Sequence, residues 1–181
     1  MSVPILLLLS GGIDSTTLLN FYKSRHVTPI CIHFQYNQDS NLSEKKAVKK
    51  ITEYYNVPLQ IIPLNIPQNK RKNELIGRNS IFILAASALG YDPAIITIGI
   101  HSGTEYYDCS DSFLKDIQNL LDGYFMGSVQ VVAPFINETK KSIINYCKEN
   151  KIPIELTYSC LRKNSPPCGK CPSCLDRKEF L

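Results

Sequence analysis

The strongest constraint on the fold is an alternation that runs through most of the chain. Short apolar runs at 3–9, 29–34, 59–64, 95–100 and 129–132 are rich in Ile, Val and Leu and bounded by Pro, Gly or polar residues, as buried strands require. Longer amphipathic stretches lie between and after them, and predict helices over 16–25, 43–55, 79–89, 111–121 and 140–150. In the second of these, Leu42, Ala47, Val48, Ile51 and Tyr55 recur near the helical period, with charges on the other face. Asn137 or Thr139 is placed to cap the last helix, and Pro153 follows its end. Strand then helix, five times over, predicts an α/β fold: a doubly wound, five-stranded parallel sheet with helices on both faces and right-handed crossovers. In such sheets ligands bind at the carboxyl ends of the strands, near the point where strand order reverses.

Composition supports one body of ordinary size. A chain of 181 residues with 44% hydrophobic and 20% charged residues can bury roughly 70% of its unfolded surface and does not have the composition of a disordered protein. Twenty basic against sixteen acidic side chains give a net charge of +4, which suits phosphate-bearing ligands but is too small to argue for a nucleic-acid surface. No apolar run reaches the length of a membrane span. The run at 3–9 has no preceding basic residue and no cleavage site, so it reads as a strand rather than a signal peptide. Seven cysteines cannot all pair within one chain, and four crowd near the C-terminus, so a cytoplasmic protein holding a metal is expected rather than a disulfide scaffold. The periodic pattern stops after Leu156, which divides the chain into a ligand-binding body over 1–156 and an appendage over 157–181.

The first strand runs into Ser10-Gly11-Gly12-Ile13-Asp14-Ser15-Thr16-Thr17. Paired glycines admit an anion close to the backbone, the hydroxyls donate hydrogen bonds, and the following helix supplies free N–H groups and its positive dipole end. The string predicts a pyrophosphate cradle. It lacks the Gly-Lys-[Ser/Thr] ending of a Walker A loop, which argues against γ-phosphate transfer of that type. Asp14, the one acid in the loop, either orients it or helps hold a cation.

In the tail, Cys160, Cys168, Cys171 and Cys174 form C-x7-C-x2-C-x2-C, with Gly169 and Pro172 in the turns. Four thiolates at this spacing suit tetrahedral Zn²⁺ in a closed, structural site. An iron–sulfur cluster uses the same ligands and is the alternative. Cys31 and Cys147 fall on apolar faces and read as packed thiols.

The loop string resembles that of the PP-loop ATP pyrophosphatases, which split ATP between its α- and β-phosphates and transfer AMP to a substrate oxygen. The resemblance implies ATP and Mg²⁺ as cofactors beside the zinc. Further strings resemble one branch of that superfamily, the 7-cyano-7-deazaguanine synthases of queuosine biosynthesis. They are His33-Phe34-Gln35-Tyr36-Asn37-Gln38, Gly77-Arg78-Asn79, Asp108-Cys109, Thr139-Lys140 and Tyr158-Ser159-Cys160, in the family's order over nearly the whole chain.

The resemblance implies a ligase that adenylates the carboxylate of 7-carboxy-7-deazaguanine, lets ammonia displace AMP, and carries the amide on to the nitrile. It assigns Asp14, Lys140 and Arg78 to catalysis. Ser10, Gly11, Gly12, Ile13, Asp14, Ser15, Thr16, His33, Phe34 and Arg78 are assigned to the nucleotide, and Tyr36, Gln38, Asn79 and Asp108 to the base. Each has a plain alternative: Arg78 a surface arginine at a helix start, Asn79 a helix cap, Lys140 a solvated lysine, Tyr36 rim packing, Asp108 a cap before Phe113. A homodimer is implied by the resemblance alone.

The sequence departs from the family where a Tyr-Pro-Asp-Cys-Arg string is usual and Tyr106-Tyr107-Asp108-Cys109-Ser110 stands instead, and the linker between Leu64 and Gly77 is short. These departures touch the acceptor region and spare the nucleotide loop. Three other readings follow: ligation to a different amine, on a protein or a nucleic acid; sulfur transfer, for which Cys109 is the one candidate cysteine near the cleft; and a nucleotide-binding module without turnover. Five basic against two acidic residues over 160–181 give only a modest positive tail for nucleic acid.

Overall fold

The computed structural model describes residues 3–66, 75–101, 104, 106–162 and 166–178. Five strands, β1 (Ile5–Leu8), β2 (Ile30–Gln35), β3 (Leu59–Pro63), β4 (Ala94–Thr97) and β5 (Val129–Val132), pair in parallel in the order β3-β2-β1-β4-β5. Among the described residues six α-helices accompany them: α1 (Ile13–Lys23), α2 (Asn41–Tyr55), α3 (Arg78–Ser87), α4 (Asp111–Phe125), α5 (Lys140–Glu149) and α6 (Pro172–Lys178). The predicted doubly wound sheet is present.

The period of two in each strand sorts the core. Leu6 and Leu8 of β1, with Ile32, Phe34, Ala94 and Ile96, pack under α3 and α4 through Ile83, Phe113, Ile117 and Leu121. Leu7 and Cys31 point the other way, into a layer built from Leu18 and Leu19 of α1, Val48 and Ile51 of α2, and Ile143 and Cys147 of α5. In register, Leu7 lies opposite both Cys31 and Thr97. Because β1 is flanked by β2 and β4, the strand order reverses beside it, and the carboxyl ends of β1 and β4 open the crevice in which such folds bind ligands.

Local chemistry explains the element ends. Thr139 caps α5 in a reciprocal box with Ser142, so of the two residues offered by the sequence it is Thr139 that caps. α2 ends on Asn56 in the left-handed region (φ 50°), which a short amide side chain tolerates. Buried α2 residues are Ala47, Val48, Ile51 and Thr52, whereas Leu42 is 63% exposed; the apolar stripe starts one turn later than its period suggests.

The structure corrects one strand end and rejects two of the plain alternatives. α3 is preceded by Gly77 with φ +69°, and Asn79 is a buried second-position residue rather than a cap. α4 is capped by Ser110, whose Oγ accepts from Phe113 N at 3.1 Å, not by Asp108. β4 ends at Thr97 rather than at residue 100, because Gly99 has left the sheet to pass the first turn of α1: a Cβ there would lie 3.2 Å from the Asp14 carbonyl group and Ser15 Cα. Helix α6 was not foreseen. Its seven residues start on Pro172, which is suited to a first helical position. The short linker after Leu64 lies largely outside the described residues.

Candidate active site

The crevice at the β1/β4 boundary is a cleft of about 610 Å³. Its floor is the loop from β1 to α1. There the Ser10 and Ser15 hydroxyls share a hydrogen bond of 3.0 Å, Ser10 Oγ accepts from Gly12 N at 3.2 Å, and Thr16 Oγ1 donates to Gly12 O at 2.8 Å. Gly11 has φ +87°, and a Cβ on it would lie 3.2 Å from Ala47 Cβ and Val48 Cγ1, so the loop is pressed against α2 at a point where only glycine fits. Ile13 and Thr16 are buried below the loop in the first turn of α1, and the start of a helix is the kind of place that suits an anion.

Asp14 meets Lys140 across the cleft. Lys140 Nζ donates to both carboxylate oxygens, at 3.1 and 3.2 Å, although 126 residues separate them. Each side chain keeps about a third of its surface in solvent (27% and 31%), so both remain accessible to a ligand. Asp14 retains lone pairs for a hydrated cation arriving with phosphates, and the donor set fits Mg²⁺ in that sense.

The far wall is aromatic. Phe34 stacks on Phe82 with centroids 5.0 Å apart, and Tyr36 meets the same ring edge-on at 5.2 Å. Arg78 stands at the start of α3 beside the Tyr36 hydroxyl, with Asp108 and Glu44 near its charge. Asn79 is locked by Asp108, its N–H reaching the carboxylate at 3.3 Å and its amide donating to the Asp108 carbonyl at 2.9 Å. Gln38 accepts from Tyr36 N at 2.9 Å and donates to Glu44 at 2.7 Å.

His33 is 1% exposed. Its Nδ1 bonds the Leu9 carbonyl at 2.9 Å; a carbonyl only accepts, so Nδ1 carries the proton. Burial lowers the imidazole pKa against the opposing effects of the Leu9 carbonyl and Glu44, which keeps the ring neutral. Its Nε2 has no hydrogen-bond partner among the described residues.

The structure thus brings Ser10, Gly12, Asp14, Ser15, His33, Phe34, Tyr36, Arg78, Asn79 and Lys140 to one cleft. Gly11, Ile13, Thr16, Gln38 and Asp108 lie behind that lining and hold it in place. Several lining residues had escaped the sequence reading: Glu44, Phe82, Gly99 and, from the tail, Ser173 and Asp176. Glu44 had a signal in the Ser40-x3-Glu44 spacing, realised as a 2.5 Å bond from Ser40 Oγ. The two tail residues had none, because nothing local says where the tail packs.

Sγ atoms of Cys160, Cys168, Cys171 and Cys174 all lie within 4.8 Å of one another. A tetrahedral site with metal–sulfur bonds near 2.3 Å needs edges of about 3.8 Å, and Cys168 and Cys174 are 4.0 Å apart. Backbone N–H groups of Lys170 and Cys171 bring the Cys168 thiol down to about 6, whereas burial pushes the Cys174 thiol up to about 12, so holding all four as thiolates calls for a cation among them. The cluster fits a metal ion.

A five-stranded doubly wound sheet carries the Ser-Gly-Gly loop at its switch point with a paired lysine and aspartate above it, the arrangement expected from the resemblance to PP-loop proteins. Solved structures of this architecture align along the chain: NMN synthetase from Francisella tularensis (TM-score 0.59, 13% identity, 99% of this chain and 83% of that one) and the U34-tRNA thiolase NcsA from Methanococcus maripaludis with its [4Fe-4S] cluster (TM-score 0.55, 17%, 98% and 64%). Sequence narrows the class. The family model for the queuosine biosynthesis protein QueC matches residues 4–77 and 67–181, and the chain belongs to that family. Relatives named 7-cyano-7-deazaguanine synthase include those of Aquifex aeolicus (31% identical, covering 98% of this chain and 95% of that protein) and Prochlorococcus marinus (31%, 94% and 89%). No helix among the described residues is long and apolar enough to cross a membrane.

Proposed function

We propose that the chain adenylates the carboxylate of 7-carboxy-7-deazaguanine and transfers the acyl group to ammonia, with Zn²⁺ in the cysteine cluster and MgATP in the cleft. The observation that carries this reading is the Lys140–Asp14 pair standing over the Ser10–Ser15 loop, opposite the Phe34–Phe82 wall. The loop amides and hydroxyls and Arg78 hold the triphosphate. Lys140 stabilises charge as the bond between the α- and β-phosphates breaks and pyrophosphate leaves. The substrate carboxylate attacks the α-phosphorus, giving an acyl adenylate; the ammonia nitrogen then attacks the acyl carbon, AMP departs, and a proton leaves the nitrogen to give the amide. A second ATP adenylates the amide oxygen with release of pyrophosphate and one amide proton, and the resulting imidate loses AMP and its remaining N–H proton to give the nitrile. The aromatic wall suits stacking against a planar base, with Tyr36, Gln38, Asn79 and Asp108 arranged around its edge. Asp14 would help hold Mg²⁺ arriving with the nucleotide, and that ion would supply charge neutralisation. The body over 1–156 carries the nucleotide loop, the segment over 157–181 is its appendage, and the chain acts as a homodimer.

Sulfur transfer is disfavoured: the half-buried Cys109 thiol is pushed above its ordinary pKa by burial, with Thr104 opposing, and is a poor nucleophile at neutral pH. The test is incubation of the chain with ATP, Mg²⁺, ammonia and the carboxylated base, with pyrophosphate release and the base product followed by mass spectrometry. AMP with amide or nitrile is expected. ADP as product overturns the PP-loop chemistry; ATP binding without AMP formation with this base reassigns the acceptor to another amine or substrate, or reduces the chain to a binding module. Size-exclusion chromatography with light scattering tests the dimer.

A further inference from the structure

We propose that the cysteine knuckle is a wall of the nucleotide cleft, so that the metal held there sets how firmly the chain grips its nucleotide. The identity of the ligand rests on the function proposed above; the mechanical coupling does not. Helix α6 carries the buried ligand Cys174, while Ser173 and Asp176, three residues apart on one face of the same helix, line the cleft beside Lys140 and Arg78. One face of a single short helix therefore holds metal and an adjacent face meets ligand.

Three contacts tie this helix to the cradle. Arg177 Nη1 donates to Thr157 Oγ1 at 2.6 Å and Nη2 to the Ile154 carbonyl at 2.7 Å, fixing α6 to the stretch that precedes the knuckle. That stretch docks on the nucleotide loop itself, where Tyr158 N donates to the Gly11 carbonyl at 2.8 Å. Gly11 is the residue whose left-handed backbone shapes the loop.

Among the described residues, apolar packing adds little to the metal and the Arg177 bonds in holding this arrangement. The apolar cluster of the knuckle consists of its four cysteines and Tyr158, and a seven-residue helix is well below the length that persists unaided in water. Ser173 and Asp176 are thus placed by the four thiolates together with the Arg177 anchor. An ionised carboxylate only accepts hydrogen bonds and repels phosphate, so Asp176 faces the donor groups of the nucleoside, its sugar hydroxyls or amino nitrogen, and Ser173 adds a second polar group beside it.

The test uses the full chain with its metal, in reducing buffer. Asp176→Asn and Ser173→Ala are expected to keep metal content unchanged by elemental analysis and to weaken ATP binding in calorimetry about three- to tenfold, the range of a lost hydrogen bond. Leu175→Ser, on the same helix but outside the cleft lining, is expected to leave ATP affinity unchanged. Removing the metal with a chelator, with the far-UV spectrum checked for an intact sheet, is expected to speed amide hydrogen exchange in the segment 10–16.

Unchanged exchange in that segment after metal loss overturns the coupling, whether or not the chain binds ATP. Unchanged ATP affinity in both cleft variants overturns the assignment of Ser173 and Asp176. If metal-free protein unfolds, the two metal-loaded variants decide. Failure of the metal-loaded wild type to bind ATP at all defeats the nucleotide reading and leaves the exchange result to judge the coupling.

Discussion

Asp14 and Lys140 show how much chemistry a weak contact can carry. An ion pair this exposed contributes roughly 0–1 kcal/mol to stability, so in the proposed function its role is to place a cation over the Ser10–Ser15 loop. Lys140→Met is expected to leave the melting temperature within a degree or two and to lower the rate of AMP formation about 10²–10³-fold, the usual cost of removing a group that stabilises developing charge; single-turnover assays beside a thermal melt check both.

His33 makes a second residue-scale prediction. Its folded pKa is lowered by burial, so its contribution is present above the unfolded value near 6.5 and is lost as pH falls toward the folded value, where the unfolded chain binds the extra proton. Denaturant titrations from pH 7 to 5 should show stability falling, and His33→Asn, which keeps a donor for the Leu9 carbonyl, should flatten the slope. Cys31, completely buried and pushed up to about 12 by desolvation, stays a thiol throughout.

At the scale of elements, the ends of helices and edges of the sheet are managed by single side chains. Ser110, standing where the resemblance expects arginine, donates to the Tyr107 carbonyl at 2.8 Å and accepts from Phe113 N, and so starts α4. Losing such a cap costs about 1 kcal/mol, which in a chain of this size lowers the melting temperature by about 2–4 °C. Ser110→Ala and Ser110→Arg should both show that drop in a thermal melt, while Ser110→Asp, which retains the acceptor, should not. Ser110 is absent from the cleft lining, so an arginine there must reach past Asp108 to influence the base. We expect Ser110→Arg to change the ratio of nitrile to amide rather than the rate of AMP release with the first substrate. At the sheet edge, Gln118 of α4 accepts from Val131 N at 2.7 Å and donates to the Val129 carbonyl at 3.0 Å. One side-chain amide thereby occupies two backbone groups of β5 that would otherwise be open to a further strand.

At the scale of the whole molecule, the two packed layers and the cysteine cluster are held by different means: burial of Leu, Ile and Val on both faces of the sheet, and four thiolates with almost no apolar support. Cys171→Ser is expected to release the metal, measured by elemental analysis, and to lower the melting temperature, because metal affinity in such a cluster is folding free energy. A brown protein with visible charge-transfer bands would assign iron–sulfur in place of zinc.

Much of this architecture was legible in the chain itself. Apolar runs of strand length alternating with helical periods determine a doubly wound sheet, since each pattern can bury its face in only one way. The Ser-Gly-Gly-x-Asp-Ser string and the cysteine spacings are likewise local, because a turn that needs left-handed glycine and a metal that needs four thiolates both act over a few residues. What the sequence left open was decided by contacts between distant segments. Lys140 closes on Asp14, β4 gives up its last three predicted residues so that Gly99 can pass the α1 backbone, and Asn79 clasps Asp108. Ser173 and Asp176 arrive in the cleft from a helix that no periodicity announced. Local patterns fix which face of an element is buried; only the packed structure fixes which other element it is buried against, and a binding site is made of such neighbours.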